Sequence, residues 1–152
     1  NAPKVAEERG VEIVSRTSSK KGDFSTLVRV DLHTDRGVVA AAGTLFGNQY
    51  LRLVRLGGYR LEAYLDGVLF VFTHYDKPGL IGFIGGTFGK HGVNIAGMNV
   101  GRQTPGGEAI GVLNLDSYPP AEAVAEAARH EYISSVSVVK LPAEGETPAW
   151  LG

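Results

Sequence analysis

The first half of the chain alternates apolar and polar residues in short runs, and turn-forming residues separate these runs. In TLVRVDLH, Thr26 and every second residue after it would lie on one face of a strand, with Arg29 and Asp31 on the other face. A short helix is predicted in APKVAEERG, because Pro3 suits a helix start and Gly10 a helix end. Strands are predicted at residues 11–15 (VEIVS), 26–33, 38–46, 51–56 and 59–65.

The second half of the chain mixes strand and helix periods. After the apolar run VLFVFTHY, Leu80, Ile84 and Phe88 recur at helical spacing and Gly92 ends the pattern. Two strands, a second helix and a last strand follow, which gives the order β-α-β-β-α-β. This order predicts an α+β fold of the ferredoxin-like type, a four-stranded antiparallel sheet with two helices on one face. We expect a small β-rich domain at residues 1–67, the ferredoxin-like domain at 68–141 and a mobile tail at 142–152.

Two boundaries in this half are set by local signals. We expect Ser117 or Pro119 to begin the second helix of the ferredoxin-like domain, since both residue types favour helix starts. The tail contains turn formers and no period, and its Trp150 is expected either to lie exposed or to dock on a partner.

Glycines interrupt the first helix of the ferredoxin-like domain. Each costs about 1 kcal/mol relative to alanine in a helix, so another interaction must offset them. Gly82, Gly85 and Gly89 form one stripe, which predicts close packing either inside the domain or against another subunit. Gly79 follows a proline at the helix start, where uncovered backbone N–H groups and the helix dipole favour a carboxylate.

Composition narrows the classes of partner. Fifteen basic and sixteen acidic residues give a net charge of -1, so no strong field favours nucleic acid or an anionic membrane. The chain has no cysteine, which excludes disulfides and a cysteine nucleophile. No apolar run is long enough to span a bilayer, and no signal pattern begins the chain, so we expect a cytoplasmic protein. Because it opens on Asn1, we also expect a piece of a longer protein.

Polar residues cluster around the start of the first helix of the ferredoxin-like domain. Asp76 can accept from an ammonium group, His74 can bond a hydroxyl group, and Asn94 can both donate and accept. Asn94 follows the helix, so a neighbouring copy supplies it more naturally than the same chain does. Together with the helix start, these residues predict a site for a small hydroxy amino acid. The alternative is structural, with Asp76 capping the helix and the other two satisfied locally; an acid-base pair of His74 and Asp76 is the weakest interpretation.

A family resemblance supports the binding interpretation. The aspartate-basic-Pro-Gly step, the GVNIA strand start and the GR...GGEA hairpin resemble the ACT domain of D-3-phosphoglycerate dehydrogenases, and AAGTLFG and LGGYRLEAYLDG resemble their intervening domain. The resemblance implies L-serine binding between paired ACT domains, feedback inhibition, self-association and contact with the catalytic domains of an NAD-dependent parent enzyme. Asp76 is asparagine in some members. The implied serine-binding residues are His74, Asp76, Gly79, Leu80 and Asn94.

The sequence offers little for other chemistry. The glycines lack the spacing of dinucleotide or P-loop motifs, and the four histidines (33, 74, 91 and 130) lack metal-type pairing, so we expect no cofactor, metal or catalysis in this chain itself. The resemblance also implies a second anion site in some intervening domains. Candidate donors are Lys20, Lys21, Arg52, Arg55 and Arg60, although solvated surface is the plainer interpretation of each.

Two alternatives to the serine-regulated dehydrogenase stay open. The regulatory portion of an L-serine dehydratase has a related pair of domains. A plain oligomerisation module would pair its domains and bind no ligand. The upstream chain would distinguish the first alternative, and titration with a panel of amino acids would distinguish the second.

Overall fold

The fold was analysed in a computed structural model, which describes residues 2–19, 22, 24–47, 49–142 and 146. Within these residues the chain forms two four-stranded antiparallel sheets and three helices. The elements are α1 (Ala2–Glu8), β1 (Leu27–Thr34), β2 (Gly37–Phe46), β3 (Tyr50–Leu56), β4 (Tyr59–Tyr64), β5 (Val68–Tyr75), α2 (Leu80–Lys90), β6 (Ile95–Arg102), β7 (Glu108–Leu115), α3 (Ala121–Ala128) and β8 (Ile133–Lys140).

The first sheet is a meander in the order β1-β2-β3-β4. The turn between β3 and β4 contains Gly57 with φ at 56°, a left-handed conformation that glycine adopts without strain. The predicted face of β1 forms as expected, but it is exposed: Val28 and Val30 are 71% and 61% accessible. This face is continuous with an apolar groove that extends across β2 and β3.

The second sheet has the order β6-β7-β5-β8, with α2 and α3 packed on one face. This is the predicted ferredoxin-like βαββαβ arrangement, which is confirmed. The core between sheet and helices contains Phe70, Phe72 and Phe88, all fully buried, and Phe88 meets Phe70 edge to face with ring centroids 4.8 Å apart. Leu80 and Ile84 are buried beside them, as the helical spacing predicted.

The first sheet packs on the other face of the second sheet. A small core of Leu53 and Ala63 from the first sheet with Leu69 and Val112 from the second joins the two. A hydrogen bond also joins the two sheets, since the Asn114 side chain donates to the Tyr64 carbonyl at 3.0 Å. β4 therefore lies against β6 and β7.

Two sequence predictions differ from the structure, and one alternative of a third is excluded. Residues 11–15 form no strand, and Val11, Ile13 and Val14 lie exposed without a neighbouring strand. α3 begins after Pro120, which is extended, instead of at Ser117 or Pro119. For the stripe of Gly82, Gly85 and Gly89, close packing inside the domain is wrong, because a Cβ at any of these positions would meet nothing within 4 Å among the described residues. Packing of the stripe against another subunit stays a prediction.

The predicted tail is largely outside the structural description. Of residues 142–152, only Pro142 and Glu146 are described, and Trp150 lies outside the described residues. No helix in the described part of the chain is long and apolar enough to cross a membrane.

Candidate functional site

The candidate site begins where β5 gives way to α2. Gly79 precedes the helix with φ at 90°, a left-handed conformation that a residue with a side chain rarely adopts, so glycine is required at this corner. No side chain of the described residues caps the start of α2. The first-turn amides, which lack partners within any helix, therefore receive no side-chain acceptor.

Asp76 bonds to the β6–β7 hairpin instead of capping α2. Its Oδ2 accepts from Arg102 Nη1 at 2.5 Å and from the Gly106 backbone amide at 3.3 Å, while its own amide donates to the Gly107 carbonyl at 2.8 Å. None of the described residues donates to Oδ1. The Arg102 hydrogen bond, and next the Gly106 amide, hold the pKa of Asp76 below its usual value. The carboxylate is thus ionised, fixed through one oxygen and open at the other.

His74 lies in the helix-facing side of the sheet and is only 3% exposed. Its ring stacks on Phe72 with centroids 5.0 Å apart, and Nδ1 is 2.9 Å from the Tyr75 carbonyl, which can only accept. Nδ1 therefore carries a proton, and in the neutral tautomer that fits this bond Nε2 is a hydrogen-bond acceptor. That buried Nε2 has no hydrogen-bond partner within the part of the chain that is described. An unpaired buried acceptor is costly, so a hydroxyl donor there would be favourable.

Gly79 and Leu80 offer backbone groups and no polar side chain. The Leu80 side chain is 1% exposed and belongs to the core below α2, so it does not face a ligand at the corner. Its amide makes a long bond of 3.4 Å to the Lys77 carbonyl. Any contribution of Leu80 to binding would come from the backbone at the helix start.

Asn94 lies at the opposite end of the sheet. Tyr75 pairs with Glu108 at one end of β7, whereas Ile95, next to Asn94, pairs with Leu115 at the other end. Strands of eight residues separate these ends by roughly 23 Å. One chain therefore does not bring Asn94 to Asp76, as the order of elements predicted. Within its own chain, Asn94 is exposed and donates to Asp116 at 2.7 Å.

Sequence reasoning missed Arg102 and Gly106 as members of this corner. The available signal was topological, since the end of β6 and the following turn lie at the same end of the sheet as the end of β5. The GR...GGEA hairpin carries the family resemblance, but spacing along the chain does not show that its arginine reaches Asp76.

Each half of the chain matches a known domain family. Residues 1–57 match the D-3-phosphoglycerate dehydrogenase intervening domain, and residues 67–129 match the ACT domain. Similar proteins named D-3-phosphoglycerate dehydrogenase occur in Methanocaldococcus jannaschii (32% identity), Bacillus subtilis (33%) and Archaeoglobus fulgidus (34%), each aligned over 93% of this chain. The chain is an intervening domain of the D-3-phosphoglycerate dehydrogenase type followed by an ACT domain.

The chain spans only about a quarter of these relatives, 26–27% of their length. It corresponds to their C-terminal region, where an intervening domain precedes an ACT domain. The corner of His74, Asp76 and Gly79 lies in the ACT match, and so does Asn94.

The arginines proposed as anion donors lie elsewhere. Arg55 and Arg60 face each other across β3 and β4, and the Arg52 guanidinium lies 4.0 Å from the Tyr64 ring centroid. Lys20 and Lys21 are outside the described residues. Across the parts of the chain that are described, no His, Asp and Glu side chains group as metal ligands.

Proposed function

We propose that this chain is the serine-responsive regulatory module of a D-3-phosphoglycerate dehydrogenase. L-serine, or a similar small hydroxy amino acid, binds between two ACT domains and inhibits the parent enzyme, the longer protein of which this chain is a part. In that enzyme, separate catalytic domains carry out the NAD-dependent oxidation of 3-phosphoglycerate.

The observation that supports this ligand is a set of unpartnered polar groups at one corner. The ammonium group would bind Oδ1 of Asp76, which no described residue occupies. The carboxylate would bind the uncapped start of α2. The hydroxyl group would donate to the buried Nε2 of His74. The three groups match the three functional groups of serine.

A second copy completes the site. β6 is an edge strand of its sheet, and its outer edge pairs with no strand of the described chain. Two-fold pairing of β6 with its counterpart would be antiparallel and would place Asn94 of each copy at the Arg102 end of the other copy. Since Arg102 contacts Asp76, each of the two sites would combine Asp76 from one chain with Asn94 from the other.

Serine bound in this way would act by coupling. It bridges two ACT domains and so favours one arrangement of the pair, and a bias of about 1 to 3 kcal/mol is enough for several-fold inhibition. β6 is in contact with β4 of the intervening domain, and Asn99 of β6 accepts from the Glu62 amide of β4 at 3.3 Å. A shift of β6 therefore passes directly to the intervening domain.

The residues of this chain do not fit NAD. A dinucleotide site needs a parallel βαβ unit with a glycine-rich loop before the helix. Here the described strand pairings are antiparallel, and Gly82, Gly85, Gly86 and Gly89 lie inside α2 and not in a loop before it. We therefore place NAD and the oxidation in the catalytic domains of the parent enzyme.

Calorimetry tests the site directly. Wild-type chain titrated with L-serine should release heat, and Asp76→Ala should abolish it while circular dichroism shows an unchanged fold. Asp31→Ala is the matched control, because Asp31 is also held by an arginine, Arg29, at 3.0 Å but lies in the other sheet. Asp31→Ala should bind serine like the wild type. Unchanged serine affinity in Asp76→Ala would refute the site.

The dehydratase and the oligomerisation module, the two alternatives to this proposal, are tested in different ways. Residues 1–57 match the dehydrogenase intervening domain, so the dehydratase alternative is set aside. An oligomerisation module without ligand is an outcome of the same titration: a stable dimer or tetramer that gives no heat with any amino acid would establish it in place of our proposal.

A further inference from the structure

The ion pair of Asp76 and Arg102 is the feature of the corner that serine recognition alone does not explain. Arg102 is the last residue of β6, and its Nη1 lies 2.5 Å from Asp76 Oδ2. The Gly106 amide binds the same oxygen. Asp76 is thus held from one side, and the side chain of Arg102 remains half exposed, at 52%.

This pair changes which charges the corner attracts. A lone carboxylate would attract any amine, but the guanidinium of Arg102 cancels the charge of Asp76 for a cation that approaches Oδ1. A zwitterion behaves differently. Arg102 repels its ammonium group, but Arg102 and the helix start both attract its carboxylate, and this attraction offsets the repulsion.

We propose that Arg102 sets the charge selectivity of this site: it positions Asp76 through one oxygen and makes the corner accept a zwitterionic amino acid while rejecting a simple amine. Arg102 is a positioning residue, since it acts on the ligand through Asp76 and through its charge. The inference rests on the proposed function, because it concerns the ligand of the same site.

Three probes of similar size separate the charges. L-serine carries both charges, L-serinamide carries only the cation, and 3-hydroxypropanoate carries only the anion. Each is titrated by calorimetry into the full 152-residue chain and into Arg102→Gln. The wild type should bind serine more tightly than either singly charged probe. In Arg102→Gln we expect serinamide to bind about fivefold more tightly, and 3-hydroxypropanoate about fivefold more weakly, than in the wild type.

Two further variants control this experiment. Arg102→Lys keeps the charge and should restore the wild-type preference for serine, which a loss of shape alone would not do. Arg29→Gln removes an equally exposed partner of an aspartate in the other sheet, where Arg29 and Asp31 are 2.8 Å apart. It should leave all three affinities unchanged. Thermal melting of each variant verifies that the fold is retained.

The outcomes separate this inference from the proposed function. If wild-type chain gives no heat with serine, the proposed function fails and this inference fails with it. If the wild type binds serine, but Arg102→Gln binds serinamide no better than the wild type does, the proposed function stands and the charge-selective role of Arg102 is wrong. If Arg102→Gln loses affinity for all three probes by the same factor, Arg102 has a structural role only, and its charge-selective role is again wrong.

Discussion

Gly101 of β6 lies against the backbone carbonyl of Arg60 in β4, so closely that a Cβ on Gly101 would stand 2.6 Å from that oxygen. The two sheets therefore approach at a point where no side chain fits. This contact joins the strand that we propose to carry the ligand interface to the intervening domain.

Gly101→Ala should force the two sheets apart at this point. We expect the free energy of unfolding to fall by about 1 to 3 kcal/mol, the usual cost of overpacking, as measured by urea denaturation. In the parent enzyme, the same change should leave serine binding to the ACT domain largely intact but reduce inhibition. Equal loss of serine binding and inhibition would contradict a coupling role for this contact.

Replacement of a glycine in α2 by alanine should stabilise the fold, which is the opposite of the effect expected for Gly101→Ala. A Cβ at Gly85 or Gly86 would meet nothing within 4 Å, and alanine has a higher helix propensity. Gly86→Ala should therefore raise the free energy of unfolding by about 0.5 to 1 kcal/mol. Urea denaturation at a concentration where the chain is monomeric measures this value. A destabilised Gly86→Ala would show that α2 is packed more tightly than the structure indicates.

Acid should weaken the link between α2 and α3. Glu126 of α3 accepts from His91 Nε2 and Lys90 Nζ, each at 3.0 Å, at the end of α2. The His91 bond, and next the Lys90 bond, hold the pKa of Glu126 below its usual value. A carboxylate with a lowered folded-state pKa stabilises the fold above its unfolded pKa, and this stabilisation is lost as the pH falls through the folded pKa.

Glu126→Gln should therefore be less stable than the wild type near neutral pH, and the difference in melting temperature should shrink between about pH 5 and about pH 3. Glu122→Gln is the control, because Glu122 lies on the same helix and forms no ion pair among the described side chains. A difference between Glu126→Gln and the wild type that stays constant across this range would show that the carboxylate charge does not matter.

Much of the fold follows from local signals. The spacing of Leu80, Ile84 and Phe88 predicted the buried face of α2, and Gly92 ends the helical pattern with φ at 71°. The wrong strand at residues 11–15 shows the limit of such patterns. Alternation shows that a segment suits a sheet, but a strand forms only where a neighbour takes its hydrogen bonds, and periodicity does not reveal that neighbour.

The order of strands and helices predicted where in the sheet the residues of the candidate site lie, but not which side chains bond to each other. The order of strands and helices indicated that Asn94 and Asp76 lie at opposite ends of one sheet, and the register agrees. The bond between Arg102 and Asp76 was not predictable, because it depends on how the β6–β7 hairpin folds back on the corner. Because this hairpin folds back on the corner, Asp76 binds the hairpin and does not cap α2.

Mixing two defective chains tests the central claim, a serine site shared between two copies. Asp76→Ala and Asn94→Ala should each bind no serine alone. In a mixed dimer, one site regains both wild-type residues while the other loses both, so equimolar mixing should restore about one quarter of the wild-type sites. Calorimetric stoichiometry after mixing measures this fraction. Recovery at wild-type affinity is the predicted result, and no recovery in verified mixed dimers would contradict the shared site.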